Sequence, residues 1–302
     1  MVRTDVEFQS EGTTLRGWLY RPDGVDGPTP LVVMAHGFIG HREWVVATAE
    51  VFAANGLACL AYDHPCVGAS DGEPRQEVDP ARQVRGYRDA ITFAGTLADI
   101  DPGRIAIWGT SMAGAHVLTV GALEGHRIRA IVSQVPAVAG LPTFQRLVPA
   151  HLWPDLLGMI DADRKARFAG APPLTIPVAS DDPTAPAALP GADTYAWLAK
   201  VSKDVPGYRN EVTVRSLDLC FEYAPEAFLE RIAPTPIMMT IADQDNLCVT
   251  ELQLAAYQKL REPKQLQILP GNHYVAYEDG QPEAAQAQTE FLLRHLGVSS
   301  AS

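Results

Sequence analysis

The 302-residue sequence predicts an α/β architecture, a mostly parallel central sheet flanked by helices, with an inserted, mainly helical cap. Three observations carry this expectation. Strand-like and helix-like segments alternate over roughly the first 135 residues. Segments such as Leu31-Val32-Val33-Met34-Ala35 are continuous apolar runs, as in strands buried on both faces, not the alternating pattern of half-exposed ones. The alternation lapses between about Pro136 and Pro225 and then resumes. The expected organisation is a core of residues 1–135 and 226–302, with a cap insertion at 136–225.

Val6-Glu7-Phe8 and Leu15 to Tyr20 read as an opening antiparallel pair joined at Glu11-Gly12-Thr13. The apolar strand ending at Ala35 breaks at His36-Gly37-Phe38, and a helix from Trp44 to Asn55 stops at Gly56, a common C-terminal signal. Leu57 to Tyr62 is the next strand. A helix follows from near Pro80 to Ala98, then a turn at Asp101-Pro102-Gly103. Arg104 to Trp108 and Ala130 to Ser133 are strands. The insertion combines apolar clusters at helical spacing with an irregular Pro/Ala-rich loop from Pro172 to Gly191. Strands resume at Pro236 to Ile241 and Gln265 to Leu269, and an amphipathic helix carrying Phe291, Leu292 and Leu296 closes the chain.

Hydrophobic residues make up 47% and charged residues 20%, which predicts a sizeable folded core. A net charge of −12 argues against a nucleic-acid partner and against a polybasic membrane patch. No apolar run approaches transmembrane length, and Met1 to Glu7 has no signal-peptide character, so a cytoplasmic protein is expected. Cys59, Cys66, Cys220 and Cys248 form neither a C-x-x-C pair nor a zinc-finger spacing. No metal or organic cofactor is implied, and a homo-oligomer is compatible with everything above.

The strand ending at Trp108 runs into Gly109-Thr110-Ser111-Met112-Ala113-Gly114 and then a helix-like run. Strand, sharp turn and helix are what a nucleophile elbow requires, with small residues two before and two after the nucleophile. Here the second small residue is Ala113, giving G-x-S-x-A. The alternative is a helix start capped by Ser111 or Thr110. Placement on a core strand favours Ser111 as nucleophile. His273 follows in a loop just after the last strand, where its side chain reaches the carboxyl edge of the sheet. His295 lies in the closing helix and reads as a surface or packing residue. After Ile241 come Asp243-Gln244-Asp245, either of which could orient an imidazole. Asp245 is preferred, with Asp243 in reserve. Backbone N–H groups of Phe38 and Met112 are placed to form an oxyanion hole, and His36 reads as structural.

These stretches together resemble the α/β-hydrolase superfamily: His36-Gly37-Phe38, Tyr62-Asp63-His64 with Gly68-x-Ser70-x-Gly72, Asp101-Pro102-Gly103-Arg104-Ile105, the Ser111 elbow, Ala242 to Asp245, and Gly271-Asn272-His273. The nearer resemblance is to the branch of dienelactone-hydrolase-like, S15-peptidase-like and polyketide-processing enzymes. Gly72 to Pro80 and Tyr87 to Ile91 are typical of the polyketide-processing group. The resemblance implies a triad of Ser111, Asp245 and His273 and oxyanion donors at Phe38 and Met112. The chain departs at Pro65-Cys66, where relatives carry an arginine and a bulky residue beside the site.

The expected chemistry is two-step acyl transfer through an acyl-enzyme on Ser111, with a small ester, lactone or thioester as substrate. A polyketide-derived substrate rests on the resemblance. Phe38, Trp153, Tyr195 and Trp197 are the candidate substrate-binding side chains. Three alternatives stay open: an acyltransferase, a carbon–carbon bond hydrolase using the same residues, and a non-catalytic ligand-binding module.

Overall fold

A computed structural model describes residues 1–24, 27–182 and 185–298. Residues 183 and 184 of the expected irregular loop, and the last four of the expected core, lie outside the described residues.

The first half of the chain follows the predicted alternation. The strands are β1 (Val2–Ser10), β2 (Thr13–Arg21), β3 (Thr29–Ala35), β4 (Ala58–Tyr62), β5 (Ile100–Thr110) and β6 (Ala130–Gln134). Between them lie α1 (Val46–Ala54), α2 (Pro80–Ala94) and α3 (Met112–Glu124). The segment after β6 holds α4 (Gly140–Leu147), α5 (Trp153–Phe168), the two-residue β7 (Thr175–Ile176), α6 (Ala192–Val201), β8 (Val212–Thr213) and α7 (Val214–Phe221). The sheet then resumes with β9 (Ile237–Ala242), α8 (Thr250–Lys259), β10 (Lys264–Leu269) and α9 (Gln281–Leu296).

Eight strands form one sheet in the order β1-β2-β4-β3-β5-β6-β9-β10. The pairs β1–β2 and β2–β4 are antiparallel, and every other pair is parallel. This is the α/β-hydrolase arrangement. The central strands β3, β4, β6 and β9 are buried along their whole length, because helices cover both faces. One apolar layer packs Val33, Leu60 and Ile107 against α2 and α3, through residues such as Tyr87, Ile91 and Val117. The opposite layer packs Val32, Met34 and Trp108 against Phe52 of α1 and Phe291, Leu292 and Leu296 of α9.

Helix boundaries follow local chemistry. Asp79 accepts a hydrogen bond from the Arg82 backbone N–H at 3.0 Å, and Pro80 opens α2. The turn expected at Asp101-Pro102-Gly103 is instead extended backbone inside β5. Thr29 pairs with Ile100 and Leu31 with Ile105, so a bulge absorbs the turn-forming residues without ending the strand. Asp101 meanwhile accepts from the Gly103 N–H at 2.9 Å and Arg104 Nε at 2.6 Å.

Candidate active site

The strand β5 and the helix α3 meet at Ser111, which adopts φ 57° and ψ −118°. This is a strained conformation for a residue bearing a side chain. It is held from outside: the Ser111 N–H donates to the Gln134 carbonyl at 2.8 Å, and the Ser111 carbonyl accepts from Ala115 and Ala137. The strand and helix approach so closely that a Cβ at Gly109 would lie 2.1 Å from the Ala113 carbonyl oxygen. On the other side of the turn the close approach falls at Gly114, where a Cβ would lie 2.7 Å from the Gln134 carbonyl. Ala113 itself is fully buried in the apolar layer beneath. The G-x-S-x-A-G spelling therefore meets the steric demand one residue later than the simple pentapeptide implies.

The loop after β9 presents Asp245, whose side chain accepts four hydrogen bonds. Oδ1 takes the Leu247 and Cys248 N–H groups at 2.9 and 2.8 Å, and Oδ2 takes Gln253 Nε2 at 2.9 Å. The fourth comes from His273 Nδ1 at 2.8 Å. Asp243, the reserve candidate, accepts from the Gly271 N–H at 2.8 Å and so ties together the loops that carry Asp245 and His273. Burial opposes charge on both Asp245 and His273, but their mutual attraction prevails. The imidazole is raised well above its ordinary value, and the carboxyl is held below its own.

Ser111 and His273 line one cleft. Its other walls include Phe38 and Trp44 from beyond β3, Leu247, Tyr274 and Tyr277 from the carboxyl-edge loops, and Thr194, Trp197 and Leu198 from α6. Of the four expected substrate-contacting side chains, Phe38 and Trp197 line it, whereas Trp153 and Tyr195 are not among its lining residues. Trp153 packs on Phe221, centroids 5.7 Å apart. On α6 the cleft face runs through positions 194, 197 and 198, and Tyr195 points about 100° away from it. Met112 is the first residue of α3, where a backbone N–H has no preceding turn to bond.

Cys248 is a site residue that the sequence reading passed over. Its Sγ lies 3.8 Å from Ser111 Oγ, and the thiol also interacts with His273. Burial pushes this thiol up, so it stays protonated at neutral pH. The only available signal was its position three residues after Asp245.

Buried polar groups brace the cleft from below. Trp108 Nε1 donates to Gln288 Oε1, Gln288 Nε2 to Gln134 Oε1, Gln134 Nε2 to Thr110 Oγ1, and Thr110 Oγ1 to the Tyr277 hydroxyl. His36 lines the cleft but is neutral and structural. Burial lowers its pKa to about 4, its Nδ1 pairs with the Gly37 carbonyl, and its Nε2 accepts from the His64 N–H. The departure at Pro65-Cys66 does not reach the cleft lining. Cys66 is buried in a loop closed by backbone bonds to Asp71 and Gln76, with Arg82 against its sulfur at 3.1 Å.

Two side-chain trios cluster closely enough to hold a metal ion among the described residues: Asp245, Cys248 and His273, and His41, Glu43 and Asp63. The aspartates in both are already occupied by internal donors, Asp245 by the four named above. Asp63, for example, accepts from the Arg42 and Ala69 N–H groups. No helix among the described residues is long and apolar enough to cross a membrane.

The fold and the elbow define an enzyme of the α/β-hydrolase superfamily. The chain belongs to the Hydrolase_4 family, described as serine aminopeptidase S33, whose model matches residues 26–279. It is 34% identical to the quorum-quenching protein AidA of Acinetobacter baumannii, over 97% of this chain and 95% of that one. It is 33% identical to the thiohydrolase aneE of Aspergillus aculeatus, over 90% and 86% respectively. It is 30% identical to the polyketide transferase grgF of Penicillium sp., over 97% of each chain. The crystal structure of the α/β hydrolase GrgF from Penicillium sp. sh18 superposes with a TM-score of 0.85 at 29% identity, covering 98% of this chain and all of that one.

Proposed function

We propose that the chain is a serine hydrolase that cleaves a carboxylic ester, lactone or thioester through an acyl-enzyme on Ser111. The observation that carries this reading is the strained Ser111 turn opening into the same cleft as His273, with the His273 Nδ1 held 2.8 Å from the buried Asp245.

In the proposed reaction a substrate carbonyl enters the cleft, and His273 takes the proton of Ser111 through Nε2 as the oxygen attacks. Asp245 keeps the Nδ1 proton in place, which leaves Nε2 free to accept. In the structure Ser111 Oγ faces Cys248. Its alignment on His273 is completed when substrate fills the cleft, as is common for hydrogen bonds that tighten on binding. The negative oxygen rests on the N–H groups of Phe38 and Met112, each donor contributing about 3 kcal/mol. His273 then protonates the leaving group, and water releases the acyl group.

The helical segment 136–225 serves in this reading as a cap over the site. It supplies Val178, Leu189, Thr194, Trp197 and Leu198 to the cleft. The aromatic and aliphatic walls suit an apolar acyl group. The thiohydrolase and polyketide transferase names of two relatives favour a thioester of an extended, polyketide-like acyl chain. Transfer to an alcohol or amine instead of water uses the same residues, and the transferase name of grgF favours testing it directly.

The test is a panel of aryl esters, lactones and thioesters run on native protein and Ser111→Ala, with and without an added nucleophilic acceptor. Turnover by native protein alone supports the reading. Undiminished turnover by Ser111→Ala sinks it.

A further inference from the structure

Two residues that line the cleft carry hydrogen-bond donors that the proposed chemistry does not use. Trp44 sits in the 3-10 turn Arg42–Val45, and Trp197 sits in α6. Their rings meet edge to face with centroids 4.9 Å apart, and both line the cleft that holds Ser111 and His273. Trp197 is only 8% exposed. The Nε1 of each ring is buried and has no hydrogen-bond partner in the protein. Two tryptophans away from the cleft are paired: Trp108 Nε1 donates to Gln288 Oε1 at 2.8 Å, and Trp18 Nε1 to Asp5 Oδ1 at 2.9 Å.

An indole nitrogen can only donate, and a buried donor without an acceptor is costly enough that native interiors rarely leave one. Two such donors at one cleft are the pattern of a site whose acceptor arrives with the ligand. We propose that Trp44 and Trp197 read a carbonyl oxygen on the acyl chain, distinct from the carbonyl attacked by Ser111, so that the favoured substrate is an oxoacyl ester or thioester rather than a plain alkanoyl one. A ketone fits better than a hydroxyl. Both indole nitrogens only donate, so they pair fully with a ketone oxygen, whereas a hydroxyl would still have its own proton to place. The inference rests on the hydrolase reading above and adds the substrate's functional group to it.

The experiment measures kcat/KM for N-acetylcysteamine thioesters of octanoate and of its 3-oxo, 5-oxo and 7-oxo derivatives. It is run on native protein, Trp44→Phe, Trp197→Phe and Ser111→Ala. Each oxo isomer is paired with its methylidene analogue, which keeps the shape and removes the acceptor. The expected result is that native protein prefers at least one oxo thioester over its methylidene partner by about tenfold. That ratio should fall below about threefold in at least one phenylalanine variant. Because the ratio is taken within each protein, a general loss of rate in one variant does not obscure it. Turnover of octanoyl thioester by native protein without any oxo preference, or a preference that survives in both phenylalanine variants, overturns the inference and leaves the hydrolase reading standing. Turnover of no thioester by native protein overturns the inference, while esters and lactones still test the hydrolase reading; equal turnover by Ser111→Ala removes the hydrolase reading and the inference with it.

Discussion

Replacing Asp245 by Asn tests how the site is wired. Asp245 is 2% exposed and fully engaged by donors, so the substitution changes hydrogen-bond polarity without changing volume. Asn can keep the two backbone bonds at its carbonyl oxygen. Its amide nitrogen then occupies the Oδ2 position facing Gln253 and His273. Gln253 can turn its carboxamide over to accept, because its own Oε1 is buried without a partner. His273 can meet the new donor only as the tautomer protonated at Nε2, which cannot take the Ser111 proton. By analogy with the same substitution in serine proteases, kcat should fall by about 10⁴-fold, which corresponds to roughly 5.5 kcal/mol.

The pH profile should move as well. In native protein the base works only when neutral, and Asp245 raises its pKa. The rising limb of kcat/KM should therefore lie on the alkaline side of an ordinary histidine. Removing the carboxylate leaves burial as the dominant influence, which lowers the pKa, so the residual activity of Asp245→Asn should rise at lower pH. The assay is kcat/KM for an aryl ester from pH 5 to 10, with urea unfolding as the check on folding. A variant within tenfold of native activity, with an unmoved rising limb, would refute the reasoning.

Three further outcomes are expected. Cys248→Ala should keep turnover within about tenfold of native, since a protonated buried thiol is a poor nucleophile, and loss of turnover as deep as that of Ser111→Ala would make Cys248 part of the covalent chemistry. Gly109→Ala should destabilise by about 3 kcal/mol because the new Cβ meets helix backbone, whereas Gly158→Ala, in α5 with nothing within 4 Å, should stabilise by about 1 kcal/mol; denaturant midpoints moving together in one direction would contradict this. His116 is buried neutral with its pKa lowered to about 3, while the unfolded chain protonates it below about 6.5, so acid favours unfolding between those values. Stability should therefore fall with pH less steeply in His116→Gln than in native protein, by about 1.4 kcal/mol per pH unit, and parallel slopes in urea titrations from pH 6.5 to 4 would rule the mechanism out.

Much of this architecture is legible in the chain because its signals are local. Continuous apolar runs mark β3, β4 and β9, and Asp79-Pro80 marks the start of α2. Ser111, Asp245 and His273 could be named because each follows a strand that the apolar pattern reveals. What escaped was set by tertiary contact. Asp101-Pro102-Gly103 has turn chemistry, yet pairing with β3 holds it in the sheet through a bulge. Tyr195 and Trp197 are equally aromatic, and only the docking of α6 decides which one faces the cleft. Trp44 and Cys248 carry no motif, and they matter because folding brings them beside residues far away in sequence. The choice of Asp245 over Asp243 has the same character: both leave β9, and both are used, one against His273 and one against the Gly271 backbone.

The central claim is that Ser111, and not its neighbour Cys248, carries the acyl group. Peptide mapping after treatment of native protein with a fluorophosphonate probe tests this most directly. A single adduct is expected, located on Ser111, with none formed in Ser111→Ala. An adduct on Cys248, or no adduct in the native protein, would contradict it.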